Sequence, residues 1–137
     1  MSVLDHWRLW ANCYGMDPDL FYPERGDKLE PEVVAACATC PVRFPCLHSS
    51  MGEEFGTWGG WDREIRATVR RWARYCLQCG GEIPKADPVL FCSDDCLEGA
   101  VFSDDDNWAR VTAGLDELDE LASRYIRIRK PSAEVAA

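Results

Sequence analysis

The sequence predicts a mainly α protein: a small helical bundle, then a small cysteine-bounded α+β unit, then a C-terminal helix. Three observations carry this expectation. Apolar residues recur at helical spacing over 63–75 and again from 104 onward. Glycine and proline clusters separate these runs. The eight cysteines fall into two sets of four. The expected divisions are 1–75, 76–102 and 103–137.

Each element has its own local signal. Residues 3–12 suit a short helix with Val3, Trp7 and Trp10 on one side. The stretch 15–27 is rich in Gly, Pro and Asp and reads as loop. Pro31 suits a helical first turn, and the helix it starts reaches Cys37. Pro41 and Pro45 predict breaks between cysteines, with a short helix over 46–54. Gly56, Gly59 and Gly60 in "GTWGGW" predict a turn. Asp62 is a good N-cap for "REIRATVRRWARY", whose Ile65, Val69 and Trp72 oppose a stripe of Arg63, Arg66, Arg70 and Arg74, with Arg71 beside it. A short hairpin is expected around "GGEIPKADPVLF". From Asp104 a long helix places Trp108, Val111, Leu115, Leu118, Ala122 and Tyr125 at three- and four-residue steps, and Gly114 weakens it. Its acidic start and basic end suit the helix dipole.

Composition bounds the function. The amino terminus lacks a signal-peptide pattern, and no run approaches the roughly 20 apolar residues of a membrane span. A cytoplasmic protein without membrane association is therefore expected. There, clustered cysteines bind metal or do redox chemistry more often than they form disulfides. Net charge −9 argues against a surface that is basic throughout. The basic exception is 63–75, with five arginines against one glutamate.

Cys76, Cys79, Cys92 and Cys96 form two close pairs separated by a short hairpin. Such pairs converge on one tetrahedral ion, since Zn–S bonds near 2.3 Å put sulfurs only about 3.8 Å apart. Gly80 lets the first knuckle turn, and Ser93 can cap the turn that presents Cys96. The pattern resembles a treble-clef zinc finger. Structural zinc is the expectation, since no His or carboxylate completes an open catalytic site.

Cys13, Cys37, Cys40 and Cys46 form a triplet plus one distant cysteine. An iron–sulfur cluster tolerates ligands from separate segments, and four thiolates also suit zinc, so spacing leaves both open. A two-zinc adaptor without iron and a thiol–disulfide oxidoreductase using Cys37 and Cys40 are the alternatives. No thioredoxin-like βαβ pattern surrounds the second of these.

The segments "DHWRLWANC", "DPDLFYPE", "ACATCPVRFPCL" and "GTWGGWDREIR" closely resemble the WhiB-like family of actinobacterial and actinophage transcription factors. Trp7, Cys13, Asp17, Pro18, Leu20, Phe21, Cys37, Cys40, Pro41, Val42, Cys46, Gly56, Trp58, Gly59 and Gly60 match in order over roughly residues 5–75. The resemblance implies a helical fold around a 4Fe–4S cluster held by Cys13, Cys37, Cys40 and Cys46. It implies a non-enzymatic regulator that binds region four of the principal sigma factor within RNA polymerase holoenzyme. It also implies promoter-DNA contact from the basic segment after the Gly-Trp turn. Thr57 and Tyr22 depart from the family's usual Val or Ile and Phe.

Trp7, Phe21, Tyr22, Gly56, Trp58, Gly59 and Gly60 are accordingly candidates for the partner surface. Arg63, Arg66, Arg70, Arg71 and Arg74 are candidates for phosphate contact. Trp10 and Trp61 are expected in the core. His6 and His48 are expected at the surface, and Asp104 to Asp106 read as a solvated helix start.

Overall fold

The computed structural model describes residues 6–23, 29–84 and 90–129. Five α-helices carry the fold: α1 (Pro31–Ala38), α2 (Arg43–Ser50), α3 (Arg63–Trp72), α4 (Asp94–Val101) and α5 (Asp105–Arg129). Two short 3-10 turns, Trp7–Trp10 and Pro18–Phe21, precede them. Among the described residues there is no strand beyond two isolated bridges, Trp58 with Trp61 and Tyr75 with Glu82. The mainly α expectation is met. The tip of the expected hairpin, residues 85–89, lies outside the described residues. No described helix is long and apolar enough to cross a membrane.

The predicted caps set the helix starts. Asp62 accepts a hydrogen bond from the Ile65 N–H at 2.9 Å, and Ser93 from the Cys96 N–H at 3.2 Å. Asp104 does the same for the Asn107 N–H at 2.8 Å. Pro31 opens α1 as expected. Three elements differ from expectation. The described part of the expected 3–12 helix is a single 3-10 turn, Trp7–Trp10, that buries none of its residues, and Val3 lies outside the described residues. Helix α2 begins at Arg43 rather than 46, because Pro45 stands in its first turn, where no N–H is needed. Trp10 is 53% exposed rather than core, whereas Trp61 is 0% exposed as expected.

A single buried cluster runs through all three segments of the sequence. It joins Phe44, Leu47 and Met51 of the first to Ile83, Leu90, Phe91 and Leu97 of the second and Val111, Leu115 and Ala122 of the third. Helix α5 lies along α3 and reaches α4. Trp108 stacks on Phe44 with ring centroids 4.3 Å apart, and Tyr125 meets Trp72 edge-on at 5.2 Å. Gly114 has a packing reason to break the helical pattern. A Cβ there would lie 3.0 Å from Leu77 Cδ2, so glycine lets the first knuckle of the second cysteine set press onto α5.

Candidate metal centres and partner surface

The first four cysteines arrive from different places. Cys13 follows the first 3-10 turn, Cys37 is in the last turn of α1, Cys40 lies in the α1–α2 turn and Cys46 is inside α2. Asn12 ties the amino-terminal segment to α1 and its C-cap, donating to the Ala36 carbonyl at 3.0 Å and to Thr39 Oγ1 at 3.1 Å. All four cysteines line one cavity of about 280 Å³. Trp7, Phe21, Tyr22, Thr57, Trp58 and Gly59 share its wall. Arg8 stands at this wall, its guanidinium carbon 5.2 Å from the Trp7 ring and 5.6 Å from the Trp58 ring.

The cavity is a poor place for bare thiolates. Burial pushes the Cys13 and Cys37 thiols up and takes Cys46 to about 12, with neighbouring cysteines adding to the effect. Against this, the backbone N–H groups of Gly60 and Gly59 reach Cys37 and Cys46 and pull their pKa values down. A bound cation would offset this cost of burial. The donors fit a metal centre, being four soft sulfur residues around one cavity.

The glycine turn is therefore part of the cysteine site. Gly59 and Gly60 have φ +58° and +87°, values favouring glycine. A Cβ on Gly59 would lie 2.6 Å from Leu47 Cγ and Cδ2. Two buried arginines fasten this turn from below. Arg43 donates through Nε to the Gly59 carbonyl at 3.0 Å and faces Asp116 of α5 at 3.6 Å. Arg66 donates to the carbonyls of Glu53, Phe55, Gly56 and Trp61 at 2.7–3.4 Å.

Arg66 corrects the arginine stripe. It is 1% exposed, so its guanidinium serves loop carbonyls and presents nothing to a phosphate. Arg63, Arg70 and Arg71 are exposed. Arg74 is half-buried and donates to the Ala73 carbonyl. The histidines also divide. His6 is exposed, but His48 is not a surface residue: it packs against Phe91 at 5.7 Å, and burial lowers its pKa.

The partner candidates gather around the cavity mouth. Trp7, Phe21 and Trp58 are half-buried, and Tyr22 is 52% exposed. Trp58 donates from its indole nitrogen to the Phe55 carbonyl at 3.0 Å. Tyr22 leans on the turn so closely that a Cβ on Gly56 would lie 2.8 Å from its ring. Thr57 is 4% exposed and its N–H donates to the Phe21 carbonyl at 2.7 Å, so its departure from the family's apolar residue faces inward.

The second cysteine set is compact. The sulfurs of Cys76, Cys79, Cys92 and Cys96 all lie within 4.8 Å of one another, and among the described residues this is the group of that kind. Cys79 and Cys92 are 3.6 Å apart, and Cys92 and Cys96 3.5 Å, near the spacing about one tetrahedral ion. Gly80 takes φ +75° in the first knuckle. The Cys79 N–H points at Cys76 Sγ at 3.5 Å and the Gly81 N–H at Cys79 Sγ at 3.3 Å. Burial raises the Cys76 thiol, but N–H groups of Cys79, Cys92 and Gln78 outweigh it and bring it down to about 7.

Helix α5 holds this knuckle by its carbonyls. Arg110 donates to the Leu77 carbonyl at 3.0 Å and to that of Gln78 at 2.8 Å, and Asn107 reaches Gln78 Oε1 at 2.9 Å. Neither Arg110 nor Arg43 carries a sequence signal for such a role. The glycines around Trp58 do carry one, but it points to a turn and a partner surface rather than to the cysteine site.

The family model of the transcription factor WhiB matches residues 7–69. The transcriptional regulator WhiB2 of Mycobacterium tuberculosis is 36% identical over 72 residues, covering 51% of this chain and 80% of that protein. The transcriptional regulator WhiB of Streptomyces coelicolor is 35% identical over 67 residues, covering 47% and 76%. The transcriptional regulator WhiB1 of Bifidobacterium longum is 34% identical over 78 residues, covering 52% and 84%. No solved structure matches the chain. With the first four cysteines, the glycine turn and the capped start of α3 inside the matched region, the chain belongs to the WhiB family of transcription factors.

Proposed function

We propose that this protein is a transcriptional regulator whose Cys13, Cys37, Cys40 and Cys46 hold a 4Fe–4S cluster, whose aromatic rim docks on region four of the principal sigma factor, and whose α3 contacts promoter DNA. One observation carries the reading furthest. Four thiols from four different positions line a single cavity beneath the Gly-Trp turn, and they are not drawn together as tightly as the second set. That spread suits a polynuclear centre better than one ion. When bound, the cluster would supply the positive charge that the buried thiols lack.

The residues then divide the work. The Gly59 and Gly60 N–H groups stabilise thiolate charge at Cys46 and Cys37. Trp7, Phe21, Tyr22 and Trp58 supply the aromatic anchors typical of a protein interface, with Gly56, Gly59 and Gly60 holding Trp58 in place. Arg63, Arg70 and Arg71, with Arg74 at the helix end, form the phosphate-facing set. Net charge −9 keeps intrinsic DNA affinity low, so tethering by sigma would raise the effective concentration at the promoter. Cys76, Cys79, Cys92 and Cys96 hold one structural zinc in a treble-clef-like unit. A thiol–disulfide enzyme is disfavoured, because burial raises the Cys37 thiol where a redox nucleophile needs it lowered.

Anaerobic purification tests the first link. The expected product is brown, with about four irons and about one zinc per chain. A colourless protein with two zincs removes the iron–sulfur reading and leaves the two-zinc adaptor. Co-purification with sigma region four tests the second link. Loss of that complex in Trp58→Ala but not in Trp108→Ala supports it, and normal binding by Trp58→Ala removes the interface. For the third, Arg70→Gln should weaken promoter binding and flatten its salt dependence.

A further inference from the structure

The end of α5 carries charge that the proposed function leaves unused. From Leu121 to Arg129 the helix has three arginines and no acidic residue. Arg124 is taken up by Glu120 at 2.8 Å. Arg129 is exposed, and no ion pair joins it to another described residue. This residue lies outside the region that matches the family model.

Arg129 faces α3. It shares a groove of about 90 Å³ with Tyr125 of its own helix and with Glu64, Thr68 and Arg71 of α3. The edge-on contact of Tyr125 with Trp72 holds the two helices together beside it. Arg71 is exposed too, and it has no ion pair with a described residue. Two arginines thus line one groove whose wall carries a single carboxylate, Glu64. Like charges repel, and an anion between them relieves the repulsion.

The groove continues a surface. At roughly 100° per residue, Arg63 and Arg70 lie on nearly the same line of α3, and Arg71 is one step round toward α5. The exposed arginines therefore run from the outer face of α3 onto the seam and across it. The acidic remainder of the chain repels a polyanion elsewhere and favours its approach on this side.

We propose that α5 extends the arginine face of α3, with Arg71 and Arg129 together holding backbone phosphate of duplex DNA across the helix seam. This rests on the reading of α3 as the DNA-facing helix and adds to it a residue of the C-terminal segment. Arginines along two packed helices neutralise phosphates without reading bases, so the contact positions DNA and carries no sequence preference.

Fluorescence anisotropy of a short labelled duplex against the full-length, metal-loaded chain, at several salt concentrations, tests it. Arg71→Gln and Arg129→Gln should each flatten the slope of log K against log salt by about one. Arg129→Lys should keep the slope, and Arg124→Gln should leave it unchanged. If Arg71→Gln and Arg70→Gln flatten the slope and Arg129→Gln does not, α5 is no part of the surface and the α3 reading stands. If none of the three flattens it, the α3 reading falls and takes this one with it. Equal flattening by Arg124→Gln would reduce the effect to net charge and overturn the proposal. A lowered melting temperature in Arg129→Gln with an unchanged slope would mark it as a seam residue only, with the same consequence.

Discussion

The two cysteine sets have the same donors and opposite construction. The second brings four sulfurs within 4.8 Å of one another on two short knuckles. Backbone N–H groups bring Cys76 down to about 7, while the adjoining Cys92 thiol pushes Cys96 up to about 12, so here the sulfurs act on one another rather than being raised by burial. The first spreads its sulfurs around a cavity of about 280 Å³, and burial drives Cys46 to about 12. One is assembled locally and then fastened to α5. The other is assembled from the tertiary fold and buried by it. A site built from neighbours in sequence suits a single ion. A site built from distant segments leaves room for a larger centre and ties its existence to the surrounding surface.

The largest effect that could break this contrast is selective metal loss. Cys46→Ser should abolish iron while zinc stays at about one per chain, and Cys79→Ser should abolish zinc while iron is retained. Metal analysis of both variants checks this. If loss of zinc also empties the first set, the shared core makes the two sites one cooperative unit and the contrast fails.

Next in size is Arg66→Ala. It strips the carbonyls of Glu53, Phe55, Gly56 and Trp61 of a buried charged donor. A loss of about 3 kcal/mol or more in urea unfolding is expected, with the second set still able to take up zinc. Retained stability would mean water replaces the guanidinium, and Arg66 would not be the fastening of the turn.

Smaller, and aimed at each site in turn, are two supporting residues. Gly59→Ala puts a Cβ into Leu47 at a left-handed φ, and about 1–3 kcal/mol of destabilisation should accompany faster iron loss. Gly60→Ala meets only ordinary contacts, Cys37 Cβ at 3.6 Å and an Arg43 nitrogen at 4.0 Å, so its cost should come from the φ of +87° and not from a clash. For the second set, Arg110→Ala frees the knuckle carbonyls, and zinc affinity should fall about 10–100-fold in a chelator competition. An unchanged affinity would show that the knuckle needs no help from α5.

The smallest concerns the joint between α5 and the first set. Burial raises the Asp119 carboxyl pKa, aided by Asp116 and Asp62 and opposed by Ser123 and Arg43. A raised folded-state pKa means this group favours folding fully below its unfolded pKa, and that contribution is lost as pH rises through the folded value. Asp119→Asn should therefore melt slightly higher than the parent at pH 7, with the difference closing toward acid. A gain that persists at low pH would assign the effect to something other than this charge.

Much of the local detail was legible from short stretches. The Asp62 and Ser93 caps, Pro31 at its helix start, the Gly80 knuckle and the three- and four-residue steps of α5 all stand where the sequence puts them. The arginine stripe was legible as a helix face and misread as a uniform one. A helical wheel places Arg66 beside Arg63 and Arg70, and nothing within α3 says that the turn at 53–61 folds over that one position. Trp10 and Trp61 show the same limit. Both are indoles in apolar settings of sequence, yet one is 53% exposed and the other fully buried.

The family, the mainly α class, the grouping of cysteines and most helix starts are all readable along the chain. These depend on residues a few positions apart, through caps, glycine conformations and periodicity. The tertiary structure alone decided that α5 packs along α3, that Arg43 and Arg66 are buried fasteners of the glycine turn, and that Gly59 and Gly60 face the first cysteines with their N–H groups. Burial is set by whatever segment comes to lie on a face, and here those segments are far away in the chain.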